Sequence, residues 1–214
     1  MNNGTDIINT NIYQPPPKPV IIAICGKSAS GKDTLAHWLL SMLKVIKIPA
    51  NMIVSDTTRP PRIYEENGLD YNFLSETEFH NKINYDKYLE YSYFNGWFYG
   101  TDYDTIDINS VNIGIFNIDG ISSIAAHQDK YEILCIYLKC DLYNRIKRSI
   151  RREGKIKKEY FRRAFADNKD FKHINHILKR FPNLFIFNSN KILASEMVDH
   201  IIWRLKVKNL CHFI

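Results

Sequence analysis

The chain has no long apolar run. Its clearest hydrophobic stretch, "VIIAIC" at 20–25, is far shorter than the ~18 continuous apolar residues of a membrane span. No basic segment followed by an apolar one opens the sequence, so no secretory leader is expected. Cysteine is scarce. Cys25, Cys135, Cys140 and Cys211 form no C-x-x-C pair, which points to reduced, structural thiols and a cytoplasmic protein. His173 and His176 complete no Cys/His set for zinc and read as surface or packing residues. There is no internal repeat. What remains is 214 residues, 45% hydrophobic and 24% charged, enough for one soluble globular domain. The net charge of +6 fits a phosphate-rich partner, either nucleic acid or nucleotide. Much of it sits in one stretch, "RIKRSIRREGKIKKEYFRR" at 145–163.

Residues 1–19, polar and ending in a proline run, read as a flexible arm. "VIIAIC" reads as a buried strand, and Leu35, Trp38, Leu39, Met42 and Leu43 form the apolar stripe of a following helix. "NMIVS" (51–55) reads as a second strand and "DTTRPPR" as a loop, because its prolines forbid a regular element. The middle is aromatic. "DYNFL" (70–74), "YLEYSYF" (88–94) and "WFYG" (97–100) read as strands of a small, antiparallel insertion, with Asn95-Gly96 as a tight turn and "SETEF" (75–79) as a capping box. Strand and helix then alternate again. "NIGIFNI" (112–118), "EILCIYL" (132–138) and "LFIFN" (184–188) read as strands. A basic helical stretch covers 141–179, broken near Gly154, and 190–207 reads as a closing helix. This alternation predicts an α/β fold in three layers, a parallel sheet covered by helices on both faces.

"CGKSASGKDT" (25–34) lies between the first strand and the first helix. It nearly matches the phosphate-binding pattern G-x-x-x-x-G-K-[ST]. Glycines let successive N–H groups point at an anion, the helix adds its positive end, and Lys32 supplies a charge for the phosphates. Gly26, Ser28, Ala29, Ser30, Gly31, Lys32, Asp33 and Thr34 are therefore the expected nucleotide-phosphate contacts. Asp33 stands where a hydroxyl usually meets Mg²⁺; a carboxylate is also a hard oxygen ligand for that ion. The bland alternative is a glycine turn that merely closes strand and helix.

Downstream, "SDTTRPPR" (55–62) places two arginines around a stiff proline pair, a spacing suited to one phosphate group. "ENGLDYNF" (66–73), "LEYSYFNGWFYGT" (89–101) and "IFNIDG" (115–120) follow. With these fragments in view the chain resembles the guanylate kinase family from about Val20 to Asn188. The family's T-T-R-x-P-R, G-x-D-Y-x-F and E…Y-G-[ST] stand here as Thr57–Arg62, Gly68–Phe73, and Glu90 with Tyr99-Gly100-Thr101. The resemblance implies that Arg59, Arg62, Tyr71 and Tyr99 hold an acceptor monophosphate and that Ser55, Glu90 and Thr101 read its base. Guanine offers N1–H and N2–H₂ side by side, and one carboxylate accepts both; adenine has no such pair. Thr101 would donate to O6. Asn117, Asp119 and Asn188 complete the implied set, with Asp33 and Asp119 toward Mg²⁺. Tyr64 and Asn117 depart from the family's usual glycine and aspartate.

The resemblance further implies a P-loop NTPase-type core at 20–55 and 103–214 within a single kinase domain at 20–214. It adds an acceptor-binding insertion at 56–102 and a basic lid at about 148–165. Arg148, Arg152 and Arg163, with Lys32, would meet the transferring phosphates; the neighbouring Arg145, Arg151 and Arg162 blur that register. The expected activity is ATP-dependent phosphorylation of GMP or dGMP with Mg²⁺. Another base specificity, or a non-catalytic guanylate-kinase-like binding module, is the alternative. Neither nucleic acid nor membrane is expected as a partner; monomer and homodimer are both open.

Overall fold

The computed structural model describes residues 18–94, 96–153 and 158–207. The arm up to residue 17, Asn95, Gly154 and Cys211 lie outside them, and the side chains of Arg152 and Arg163 lie outside the described set as well. In chain order the elements begin with β1 (Val20–Gly26), α1 (Lys32–Val45), β2 (Ala50–Met52), β3 (Asp56–Thr57), β4 (Asn72–Phe73) and α2 (Glu76–Asn84). Next come β5 (Tyr88–Phe94), β6 (Trp97–Asp102), β7 (Val111–Ile115), α3 (Ile118–Ile124) and β8 (Glu132–Lys139). Last are α4 (Leu142–Glu153), α5 (Lys158–Asp170), α6 (Ile174–Leu178), β9 (Leu184–Asn188) and α7 (Ala194–Val207).

Five strands form a parallel sheet in the order β2-β7-β1-β8-β9. β1 is central and buried on both faces, which is why its sequence is continuously apolar rather than alternating. Val20, Ile22 and Ile24 pack with Leu35, Leu39 and Leu43 of α1 and with Val198, Ile201 and Leu205 of α7. Ile21, Ala23 and Cys25 face the other way, onto Ile121 and Ile124 of α3 and Ile174 and Leu178 of α6. The result is a three-layer α/β fold of the P-loop NTPase type. The chain crosses from one side of β1 to the other between β7 and β8, and a crevice opens at the carboxyl end of β1, where such sheets bind ligands. Among the described residues no helix is long and apolar enough to cross a membrane.

A second sheet of four short strands, in the order β4-β3-β6-β5, stands over that edge. It differs from the antiparallel expectation in one pairing: β3 and β4 run parallel, joined by the loop that carries both arginines. Asp56-Thr57 is also a strand, not loop; the prolines at 60 and 61 begin only after it. Three other boundaries move. The second strand of the main sheet ends at Met52. The strand at 112–118 stops at Ile115, because Asn117 caps α3 and accepts from Gly120 N at 2.7 Å. The basic stretch divides into α4, α5 and α6. The capping box at Ser75 and Glu78 forms as read.

One irregularity aims the second sheet. Tyr88 lies opposite Asp102, whereas Glu90 lies opposite Thr101, so β5 carries an extra residue between them. That bulge reverses the side-chain alternation. Tyr88 turns to the Phe79 side, where its ring stacks at 4.6 Å and its hydroxyl donates to buried Asp56 at 2.8 Å. Glu90 and Ser92, with Thr101 and Tyr99 opposite them, share the other face.

Ile22→Ala should test the central strand. It removes a fully buried side chain between two helices, so urea unfolding should show a loss of about 3 kcal/mol at unchanged m.

Candidate active site

The loop after β1 is shaped by what leaves no room for side chains. A Cβ on Gly26 would lie 2.7 Å from both Leu138 O and Ser30 Oγ, so the backbone can press against β8 only as glycine. Gly31 sits at φ 100° and precedes α1 without any side-chain cap, which leaves the helix's first N–H groups open to an anion. Lys32 is folded across the loop, donating to Gly26 O at 2.8 Å and Lys27 O at 3.3 Å. Burial lowers its pKa against the raising fields of Asp33 and Asp167. Asp33 is exposed on the first turn of α1, at the cleft wall.

The second sheet supplies the opposite wall. Arg59 meets Glu65 through two contacts, at 2.9 and 3.0 Å, and Arg62 meets the same carboxylate at 3.2 Å and by its own N–H at 2.8 Å. The Glu65 side chain is 5% exposed. Its carboxyl is held below the usual range: burial pushes it up, and the hydrogen bonds and charges of the two arginines outweigh that. The Arg59 guanidinium also lies 5.4 Å over the Tyr71 ring and 5.7 Å over Phe73. Tyr71 meets Tyr99 edge-on at 6.1 Å, and burial pushes its hydroxyl pKa up to about 12. Tyr64, where the resemblance leads one to expect glycine, is half-exposed and leaves both arginines converging on one point.

At the far end Glu90 is buried, 7% exposed. Thr101 donates to its Oε1 at 2.7 Å. Burial raises the Glu90 pKa to about 7, with the Thr101 bond pulling down and Asp119 pushing up. The first turn of α3 closes over it: a Cβ on Gly120 would be 3.0 Å from Glu90 Oε2. Because the Thr101 proton is committed to Glu90, its oxygen has only acceptor capacity left, contrary to the expectation that it donates to a base carbonyl. Ser55, whose hydroxyl can donate, lines the same cleft. Asn117 caps α3 and donates to Ser92 Oγ at 2.8 Å. Asp119, two residues after that cap, is exposed.

One cleft joins these parts. Gly26, Ser28, Ala29, Lys32 and Asp33 line it from the loop, and Ser55, Arg62, Tyr71, Glu90, Tyr99 and Asn117 line it from the other side. Arg59 and Thr101 stand directly behind that wall, bonded to Glu65 and Glu90. Ser30 is buried under the loop and Thr34 is exposed on α1. Asn188 ends β9, where its side chain accepts from Asn190 N at 3.1 Å.

The basic helices are arranged differently from expectation. Arg148 does not face the cleft. It braces the loop from behind, donating to Ser30 O at 2.9 Å and Ser189 O at 2.6 Å. Arg151 is exposed. Arg145 is the buried arginine, 2.8 Å from Asp167, and Asp167 lines the cleft. Asp167, Glu65 and Ser92 were not anticipated. For Asp167 a signal existed: Ala164, Asp167 and Phe171 recur at helical spacing and all three are buried, so an acid sits on an apolar stripe. Among the described residues no cluster of three or more His, Cys, Asp or Glu could hold a metal by itself.

The family model described as guanylate kinase matches residues 17–204. The chain is 30% identical over 198 residues to the guanylate kinase of Maricaulis maris, covering 90% of this chain and 86% of that one. It is 28% identical over 185 residues to a guanylate kinase of Clostridium perfringens, covering 86% and 82%. The crystal structure of guanylate kinase from Anaplasma phagocytophilum superimposes with a TM-score of 0.65 at 19% identity, over 92% of this chain and 88% of that one. Carrying its phosphate loop and its Glu90–Thr101 pocket on a shared cleft, the chain belongs to the guanylate kinase family.

Proposed function

We propose that this chain transfers the γ-phosphoryl group of ATP to the phosphate of GMP or dGMP, giving ADP and GDP or dGDP. The observation that carries this reading is the single cleft with the phosphate loop at one end and buried Glu90 at the other. The loop N–H groups and Lys32 bind the donor phosphates. Arg62 and the Tyr71 and Tyr99 hydroxyls bind the acceptor phosphate, with Arg59 behind them. Ionised Glu90 accepts from guanine N1–H and N2–H₂, and Ser55 donates to O6. AMP leaves that carboxylate buried and unmatched.

The acceptor phosphate is ionised at neutral pH, so no general base is needed. Catalysis is positioning and charge. Mg²⁺ bound to the donor phosphates would supply part of that charge. Asp33 fits it, being an exposed carboxylate at the cleft wall beside Lys32; one carboxylate with phosphates and waters meets the ion's octahedral demand. Asp119 would serve only through water, since it is exposed and away from the lining. We assign residues 56–102 as the acceptor-binding insertion on a core of 20–55 and 103–214, and about 148–165 as the lid that excludes water.

The direct test is ADP release with ATP and a panel of nucleoside monophosphates. GMP or dGMP should be turned over far faster than AMP, and Lys32→Ala should lower kcat at least 100-fold. Turnover of no acceptor would refute the reading. Acidity gives a second test. Glu90 must be ionised to accept two donors, and its pKa is near 7 in the free protein. The kcat/KM for GMP should therefore fall about tenfold per pH unit below about 7 and level off above it; Glu90→Gln should abolish both the break and the guanine preference. Glu65 gives a third. It orients both arginines without lining the cleft, so Glu65→Gln should raise the KM for GMP about tenfold and leave that for ATP nearly unchanged.

A further inference from the structure

Two buried carboxylates touch the cationic groups of this cleft, and they are placed differently. Glu65 grips its arginines from behind and is not part of the cleft wall. Asp167, from α5, is 3% exposed yet lines the cleft itself. Its Oδ2 accepts from Ser28 N, an amide of the phosphate loop, at 3.0 Å, and from Arg145 at 2.8 Å. Its Oδ1 accepts from Ser28 Oγ at 3.2 Å. The neighbouring Asn168 takes Lys27 Nζ at 2.6 Å, so the end of α5 is tied to the loop at two successive residues. Arg145 is 5% exposed, and its Nε has no partner among the described residues.

A carboxylate on a phosphate-loop amide is an anion in an anion site. Ser28 N has one proton and cannot serve both Asp167 and a phosphate oxygen. Two anions a few ångströms apart in a partly desolvated cleft also repel strongly. We propose that Asp167 is an internal anion that fills part of the donor-phosphate site in the nucleotide-free protein and is expelled when ATP binds. It thereby lowers the affinity for ATP and latches α5 onto the loop. Its departure frees the Ser28 amide for phosphate and leaves Arg145, already short of one partner, to turn its charge to the donor. This rests on the reading of the loop as the ATP site. It makes Asp167 a positioning residue for α5 and the loop, with no contact to the reacting atoms.

The test is calorimetric titration of Mg²⁺-ATP, and of tripolyphosphate, into wild type and Asp167→Asn without acceptor. Removing the charge should tighten both ligands roughly tenfold, since a charge-assisted competitor is lost from the amide. A merely structural Asp167 predicts the opposite, because losing a brace loosens the loop. Should Asp167→Asn fail to fold around unpaired Arg145, the comparison is made between Arg145→Gln and Arg145→Gln/Asp167→Asn, with the same tightening expected. ATP binding by wild type with no gain in the variant overturns the latch and leaves the functional reading intact. Binding by the variant alone shows the brake at full strength. Binding by neither sinks both.

Discussion

Positive charge converging on one cleft is the constraint around which this molecule is organised. The amides of the loop after β1, Lys32, Arg62 and Arg145 all lie at or just behind its walls. Without nucleotide that charge needs internal partners, and each group has one. Lys32 folds onto the carbonyls of Gly26 and Lys27. Arg59 and Arg62 share Glu65. Ser28 and Arg145 share Asp167. Partners outside the cleft preorganise the cations for phosphate, whereas a partner inside it competes with phosphate. In the proposed scheme the same local chemistry has opposite consequences at Glu65 and at Asp167.

The direction of Glu90, the carboxylate proposed to read the acceptor base, depends on a smaller device, the bulge between Tyr88 and Glu90. One extra residue in β5 sends Tyr88 into the Phe79 cluster and Glu90 into the cleft. Thr101 then fixes one oxygen of Glu90, and the first turn of α3 packs against the other. Burial raises the Glu90 pKa to about 7, and under the proposed function a base presenting two adjacent donors is the partner that favours its ionised form. In that proposal the base pocket is tuned by exclusion of water as much as by its carboxylate.

Much of this was legible in the sequence. Continuous apolar runs and the helical stripe after the glycine loop required a parallel core, and the loop's place at its carboxyl edge followed from topology. The wall opposite the loop draws on residues that the sequence already singled out by type and ordered spacing, Arg59 to Thr101. What was hidden depends on register and on side-chain direction. A bulge shifts alternation by one residue without any residue type marking it. Asn117 and Asp119 are both good caps by composition, and only the strand's end at Ile115 decides between them. Among the clustered arginines of α4, the buried one and the bracing one differ by three residues, Arg145 and Arg148. The choice is made by Asp167, which lies on a separate helix.

The central claim is that donor and acceptor sites share one cleft at the distance of a phosphoryl transfer. Binding of adenosine and guanosine joined through five phosphates measures this most directly, because one molecule spans both halves. By calorimetry it should bind at least 100-fold tighter than ATP alone, and both Lys32→Ala and Glu90→Gln should weaken it. An affinity no better than that of ATP, or one that ignores Glu90, would contradict the account.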